Sequence, residues 1–118
     1  MRDNPMSIEV QRSADSVVMI VNGELDLATV PDLQRSLDEI GIEGDVIVDC
    51  AGIEFMDSTG LNLLVTRAKS MRQAGGSLRL RHVSEPVYRI LKLSGLISLI
   101  EQVGPAQATP RQAAASGY

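Results

Sequence analysis

The residues most capable of chemistry stand together at positions 57–61, which read Asp-Ser-Thr-Gly-Leu. Ser58 in this stretch could accept a phosphate, or it could act as a nucleophile if a neighbouring base removed its proton. The only histidine of the chain, His82, follows much later in the sequence, and we expect it to be a solvated or structural imidazole. The stretch therefore favours a modification or binding site, and we expect the chain not to be an enzyme.

The cysteine and the loop carboxylates offer little to a metal ion or a cofactor. Cys50 is the only cysteine, so no disulfide can form within the chain, and we expect a small buried residue there. Asp26, Asp49 and Asp57 could in principle collect Mg²⁺, but such carboxylates bind that ion weakly without a substrate phosphate. We expect no metal site and no cofactor in this chain.

A strand and a helix must position Ser58. The short β-branched run at residues 46–48 is typical of an interior strand. Apolar residues recur at steps of three and four in residues 61–71, which predicts an amphipathic helix beginning near Thr59. Residues 49–58 are the predicted loop between them. In a parallel sheet such a loop lies at the C-terminal edge, where ligands and partners dock.

Two features of this stretch have more than one explanation. Asp57 or Ser58 could simply be the N-cap of the helix, since both residue types favour that position. Gly60 would lie in the first helical turn, where glycine costs about 1 kcal/mol relative to alanine. Close approach by the backbone of a partner, or tight packing against the sheet, would each explain the glycine.

The rest of the chain adds strands and helices around this unit. Alternation of apolar and polar residues at 6–11 indicates an edge strand, and the continuous apolar run at 17–21 indicates a strand buried on both faces. The two are expected to form a hairpin. Thr29 is predicted to cap the following helix, with Asp32 returning the bond as in a capping box. A last strand and a helix opened by Ser84 give the order ββαβαβα.

Strands separated by helices of this length favour parallel pairs with right-handed crossovers. The prediction is therefore an α/β fold: a single domain over residues 6–103, with a mostly parallel sheet of four to five strands, an N-terminal hairpin strand and helices packed on it. Residues 96–100 are apolar but too few to classify. Residues 1–5 are predicted to be a flexible N-terminus, and residues 104–118 a flexible Pro/Ala-rich tail.

Size and charge exclude several classes of function. The chain has 118 residues, enough for one domain, and its net charge is -4. This balance provides no basic field for phosphate backbones, so no direct binding to nucleic acid is expected. No signal segment and no run of roughly 20 apolar residues is present, so we expect no membrane insertion. With one cysteine, the chain fits a reducing compartment, and a cytoplasmic location is predicted.

These residues and their order resemble the STAS family, the sulfate transporter and anti-sigma factor antagonist domains. The resemblance rests on residues 57–61 with the preceding 48–56, on Asn-Gly-Glu-Leu-Asp at 22–26 and on Leu-Ser-Gly-Leu at 93–96. It runs from about Ser7 to Val103 and is greatest to stand-alone bacterial anti-sigma factor antagonists. It implies a STAS-like fold, although family members usually close with an amphipathic helix that residues 102–118 do not predict.

The resemblance implies a cycle in which partners are exchanged. The unmodified protein would bind an anti-sigma factor of the serine kinase type and so release a sigma factor. Phosphorylation at Ser58 would end this binding, and a PP2C-like phosphatase would restore it. ATP and Mg²⁺ would belong to the kinase partner. The partner-binding residues would be Asp26, Asp57, Ser58, Thr59, Gly60 and Leu61.

Two alternatives accompany this interpretation. Asp26 could be only a turn carboxylate, because Asp commonly bonds to the backbone of its own turn. The chain as a whole could instead be a cytoplasmic STAS regulatory subunit of a membrane transport or stress-sensing assembly. The serine loop would then be an interface without a phosphorylation cycle.

Overall fold

A five-stranded sheet forms one layer of the molecule. The computed structural model describes residues 6–42 and 44–95 and the backbone of residues 101–102. Its elements are β1 Met6–Arg12, β2 Ser16–Leu25, α1 Val30–Ile40, β3 Asp45–Met56, α2 Ser58–Gln73, β4 Ser77–Arg81, α3 Glu85–Leu93 and β5 Glu101–Gln102. The predicted order ββαβαβα is confirmed, and a short fifth strand follows it. The predictions for residues 1–5, 96–100 and 104–118 lie outside the described residues.

The strands lie side by side in chain order, from β1 to β5. β1 and β2 form the predicted antiparallel hairpin, and each later pair is parallel. The carboxyl ends of β2, β3 and β4 therefore point toward the same edge of the sheet. The loop after β2 and the start of α2 consequently meet at that edge.

One face of the sheet carries the hydrophobic core. Successive strand residues point to opposite faces, so Met19, Val48 and Leu80, which are neighbours across β2, β3 and β4, share one face. All three side chains are fully buried. The same core cluster contains residues of α1, α2 and α3, namely Leu33, Leu37, Leu64, Ala68, Met71, Val87 and Leu91. None of the described helices is both long and apolar enough to cross a membrane.

The opposite face carries no helix from the described part of the chain. Val18, Ile20 and Ile47 point to this face, are only half-buried and lie outside the core cluster. The prediction that residues 17–21 are buried on both faces is therefore wrong. The described helices α1, α2 and α3 pack on one side of β2, and β-branched side chains suit the half-buried pleated surface of the other side.

β3 is longer than the sequence pattern predicts. It continues through Met56, across residues that were expected to form a loop. Its pairing with β2 shifts register between Ile20 and Asn22 and again between Gly23 and Glu24. Each shift inserts an extra residue in β3, which breaks the strict alternation by which strands are recognised in a sequence. As a result, only Asp57 separates β3 from α2.

The start of α1 differs in its bonding from the prediction. Thr29 is the N-cap residue, but its side chain makes no capping bond to α1. The buried Thr29 hydroxyl instead donates to the Glu24 carbonyl oxygen at 2.7 Å and accepts from the Asp26 amide at 2.9 Å. The expected capping box with Asp32 is wrong, because the end of β2 offers the hydroxyl closer partners; Asp32 forms an ion pair with Arg35.

Candidate functional site

Ser58 is the first residue of α2, and its side chain is exposed. Asp57 precedes it in extended backbone, with φ −100° and ψ −175°. The Asp57 Oδ1 atom accepts from the amides of Thr59 at 2.9 Å and Gly60 at 3.2 Å. Asp57 is therefore the N-cap of α2, as one of the two alternatives proposed. Within the described ranges no group hydrogen-bonds to the Ser58 hydroxyl, which leaves it available to solvent.

The neighbouring Thr59 hydroxyl is already bonded. Its Oγ1 atom donates to Asp57 Oδ1, and the Thr59 side chain is half-buried. This hydrogen bond is the main reason that the pKa of Asp57 lies below its ordinary value, with the amides of Gly60, Thr59 and Leu27 adding to the effect. Asp57 is thus an ionised acceptor at neutral pH, and the two adjacent hydroxyls differ sharply in their availability.

Gly60 is buried against the end of β2. A Cβ atom at this position would lie 2.6 Å from Leu25 Cγ and 3.0 Å from the Leu25 carbonyl oxygen. Such distances leave no room for a side chain without movement of Leu25. Packing against the sheet, the second explanation offered by the sequence, therefore accounts for the glycine. A contact between Gly60 and a partner stays a prediction.

Asp26 lies in the loop between β2 and α1, which adjoins the start of α2. Its Oδ1 atom accepts from the amides of Ala28 at 3.0 Å and Thr29 at 3.2 Å, so Asp26 is a turn carboxylate. The Asp57 amide donates to the Leu25 carbonyl oxygen at 3.1 Å. This bond joins the end of β2 to the start of α2, so the predicted residues 26 and 57–60 share one end of the molecule.

Leu61 extends the site along α2. Its half-buried side chain packs against the core and also lines a surface hollow of about 370 Å³ between α2 and α3. The described residues that line this hollow are Met56, Asp57, Ser58, Leu61, Val87, Ile90 and Ser94. Ser58 therefore stands at the boundary between a polar helix start and an apolar depression, a feature that the sequence did not reveal.

Asp49 belongs to a separate cluster. It is buried in the middle of β3. Its carboxylate accepts from Arg81 Nη2 at 2.8 Å and from the Ala51 amide at 3.0 Å. The same carboxylate lies 3.1 Å from His82 Nδ1. Burial raises the pKa of Asp49, but the bonds from Arg81, Ala51 and His82 outweigh this and hold it below the ordinary value. His82 is thus a structural imidazole, as predicted, and the register of β3 and β4 explains the pairing with Arg81.

The remaining candidates are explained by burial and spacing. Cys50 is buried, and its Sγ atom lies 3.6 Å from the Val48 carbonyl oxygen. The prediction of a small buried cysteine is confirmed, and burial, with a smaller contribution from Asp49, raises the pKa of the Cys50 thiol to about 12. Among the described residues, no three His, Cys, Asp or Glu side chains are grouped so that they could hold a metal ion.

Comparison with known proteins defines the class to which this fold and site belong. The STAS domain model matches residues 7–113, and the chain belongs to the STAS family. It is 38% identical over 97 residues to the anti-sigma-B factor antagonist of Staphylococcus epidermidis, covering 80% of this chain and 90% of that protein.

Solved structures agree on the fold. An anti-sigma factor antagonist from Mycobacterium paratuberculosis superimposes with a TM-score of 0.69 at 22% identity, covering 82% of this chain and 84% of that one. The Bacillus cell fate determinant SpoIIAA in its phosphorylated form gives 0.66 at 22% identity, covering 91% and 96%. The STAS-like α/β fold expected from the sequence is confirmed.

Proposed function

We propose that this chain is an anti-sigma factor antagonist whose binding is controlled by phosphorylation at Ser58. The unmodified protein binds an anti-sigma factor that is also a serine kinase, and this binding releases a sigma factor for transcription. One observation carries the proposal: the Ser58 hydroxyl is exposed and does not cap α2, because Asp57 is the N-cap of that helix. The names of the similar proteins support the antagonist function.

A phosphate on Ser58 would be compatible with the start of α2 but would weaken binding of the partner. The positive end of the α2 dipole favours negative charge by about 0.3 to 1 kcal/mol. A phosphate also brings roughly -1.5 to -2 charges and new bulk beside the Asp57 carboxylate. At a docked surface this costs on the order of 1 to 3 kcal/mol, which is about a 5- to 150-fold loss of affinity.

The proposed partner surface contains Asp26, Asp57, Ser58, Thr59, Gly60 and Leu61. The bonded Thr59 hydroxyl favours Ser58 as the modified residue of the two. ATP and Mg²⁺ belong to the kinase, and a PP2C-like phosphatase removes the phosphate. In this proposal the chain supplies no catalytic group, has no cofactor and acts in the cytoplasm without contacting nucleic acid directly or inserting into a membrane.

The proposal is tested by three parallel baits: the wild-type chain, Ser58→Ala and Ser58→Glu. We expect an anti-sigma factor kinase to be retained by the wild type without ATP, and by Ser58→Ala with or without ATP. Ser58→Glu should not retain it. Purified kinase and ATP should add one phosphate to the wild type and none to Ser58→Ala, as measured by intact mass.

A matched control separates the two hydroxyls of the site. Thr59→Val removes the bonded hydroxyl and should still gain one phosphate. Equal retention by Ser58→Ala and Ser58→Glu, together with no added phosphate on the wild type, would overturn the proposal. That result would favour the alternative of a STAS regulatory subunit without a phosphorylation cycle.

A further inference from the structure

β1 is an edge strand, and its outer side pairs with no other strand in the described part of the chain. The strand order places only β2 beside it, so backbone amide and carbonyl groups of β1 face away from the sheet. Such an edge can pair with a further strand. Proline, lysine and bulges commonly prevent this pairing, and Met6–Arg12 has none of them. The edge is therefore available to a second chain.

One apolar and two polar side chains lie along this edge. Val10 is opposite the buried Met19 of β2 and so shares the face that the helices cover, yet Val10 is 38% exposed. Glu9 and Gln11 are exposed on the other face, where Gln11 Nε2 donates to the Glu9 carboxylate at 3.2 Å. A strand paired with the outer edge of β1 would cover the valine and contact both polar groups.

Two charged residues of β1 and α1 lack an ion-pair partner. A hollow of about 480 Å³ between these elements is lined by residues that include Ile8, Asp32, Arg35 and Glu39. Asp32 and Arg35 form an ion pair with each other. Glu39 and Arg12, the last residue of β1, are exposed, and neither forms an ion pair within residues 6–42 and 44–95. Each is therefore available to a charge on a second chain.

The side chains of β1 select one register for a pair of copies. Opposite residues of paired strands share a face, so a two-fold axis between two antiparallel copies of β1 must pass through a residue position. An axis at Glu9 would set two glutamates opposite each other, which is unfavourable. An axis at Ile8 would leave Arg12 without an opposite residue in β1. An axis at Val10 brings the two exposed valines together and pairs residues 8–12 of both copies.

The register with the axis at Val10 also matches polar and charged groups. Glu9 faces Gln11 of the second copy, whose amide can donate to the carboxylate. Arg12 of the second copy lies opposite Ile8, on the face that the helices cover. Because Ile8 and Glu39 line the same hollow, the long side chain of Arg12 can enter it and pair with Glu39. The two-fold axis forms each contact twice.

We propose that the outer edge of β1 is an interface between two copies of this chain, paired antiparallel about a two-fold axis at Val10. The two sheets then become continuous, and Arg12 of each copy pairs with Glu39 of the other. So short a strand pair covers less than the roughly 800 Å² per partner of a stable complex, so we expect a weak dimer with a dissociation constant of about 100 μM. The inference goes beyond the proposed function and does not require it, because Ser58 follows β3, the third strand from this edge.

Cysteine variants under mild oxidation test the register. Opposite Cα atoms in an antiparallel pair are about 4.5 to 5.5 Å apart, which a disulfide can span. Val10→Cys should therefore form a disulfide-linked dimer, measured on a non-reducing gel. Ile8→Cys should not, and Thr66→Cys, at an exposed position on α2, controls for random collisions. Cys50 is buried, so the wild type should form no such dimer.

Sedimentation velocity tests the ion pair and the axis. Arg12→Glu and Glu39→Arg should each raise the dissociation constant about fivefold, and the double variant should return it to within about twofold of the wild type. Val10→Lys sets two cations opposite each other and should raise it about tenfold or more. Ile90→Lys, on α3 and 45% exposed, should change it less than about twofold. Circular dichroism should show that all variants remain folded.

Three results would each overturn this inference. The first is a wild type that stays monomeric well above the expected dissociation constant. The second is a Val10→Cys variant that cross-links no faster than Ile8→Cys or Thr66→Cys. The third is a folded Val10→Lys variant that associates like the wild type. A double variant that does not recover would overturn the contact between Arg12 and Glu39. Phosphorylation at Ser58 is measured separately, so failure of the proposed function is distinguishable from failure of this inference.

Discussion

The starts of α1 and α2 lie at the same edge of the sheet and use their hydroxyl groups in opposite ways. At α1 the Thr29 hydroxyl is buried and holds the end of β2 through Glu24 and Asp26. At α2 the Asp57 carboxylate satisfies the first amides, and the adjacent Ser58 hydroxyl bonds to nothing in the described ranges. Of these two hydroxyls, the exposed one is therefore at the helix start that a neighbouring carboxylate caps.

α3 provides an intermediate case. Ser84 is its N-cap, and the Ser84 Oγ atom accepts from the Val87 amide at 3.4 Å. This hydroxyl is engaged in capping, but it is not buried in a network as Thr29 is. The contribution of the hydroxyl to the free energy of unfolding should therefore decrease from Thr29 to Ser84 to Ser58. Stability measurements can test that order.

Thr29→Val should have the largest effect of the series. Valine keeps the shape but leaves the Glu24 carbonyl and the Asp26 amide without their partner in a buried site. We expect the free energy of unfolding to fall by about 2 kcal/mol. Urea titration followed by circular dichroism measures this. Thr66→Val, at an exposed position on α2, is the control and should change it by less than about 0.5 kcal/mol. Equal effects of the two substitutions would contradict the role assigned to Thr29.

Ser84→Ala should have an intermediate effect. The substitution removes the acceptor for the Val87 amide and leaves the first turn of α3 without its side-chain cap. Replacement of a serine N-cap by alanine costs about 1 kcal/mol. The same urea titration provides the value. A loss as large as that of Thr29→Val would mean that the Ser84 hydroxyl does more than cap the helix.

Ser58→Ala should hardly affect stability. The Ser58 hydroxyl is exposed and alanine favours helices, so the free energy of unfolding should change by less than about 0.5 kcal/mol. In the presence of ATP, Ser58→Ala should nevertheless abolish release of the partner completely. A destabilisation similar to that of Ser84→Ala would show that Ser58 shares the capping role with Asp57, and the comparison between the helix starts would then fail.

The sequence predicted the order of elements and the start of α2 near Thr59 because both depend on local patterns. Periodic apolar residues located α2, and the residue types at 57–61 identified Ser58. The true length of β3 was missed because its two bulges against β2 interrupt the alternation. The bonds of Thr29 were also missed, since its partners at the end of β2 become neighbours only after the turn has formed.

The surroundings of Ser58 could not be predicted for a different reason. Met56, Leu61 and Ile90 come from three elements, and no spacing in the sequence relates them to one another. Only the assembled fold brings them to the hollow that Ser58 also lines. Local patterns therefore drew attention to Ser58, while its apolar surroundings depend on the assembled fold.

The smallest expected effect on stability concerns Asp57, which caps α2 in place of Ser58. Asp57→Asn keeps an oxygen acceptor at the N-cap, so the urea midpoint at neutral pH should fall only slightly. The hydrogen bond from Thr59 lowers the pKa of Asp57 in the folded protein. A carboxyl with a lowered folded-state pKa stabilises the protein above its unfolded pKa, near about 4, and this contribution is lost as pH falls through the folded-state value.

The difference in urea midpoint between the wild type and Asp57→Asn should therefore be constant above about pH 5 and shrink as the pH falls below about 4. Thr59→Val removes the largest cause of the lowered pKa, so in that background the pH-dependent part of the difference should be smaller, and its loss should be complete at a higher pH. A difference that stays constant down to pH 3 in both backgrounds would mean that the Asp57 carboxylate is not what holds the start of α2. The exposure of the Ser58 hydroxyl would then need another explanation. The bond from Thr59 to Asp57 would no longer account for the difference between the Ser58 and Thr59 hydroxyls.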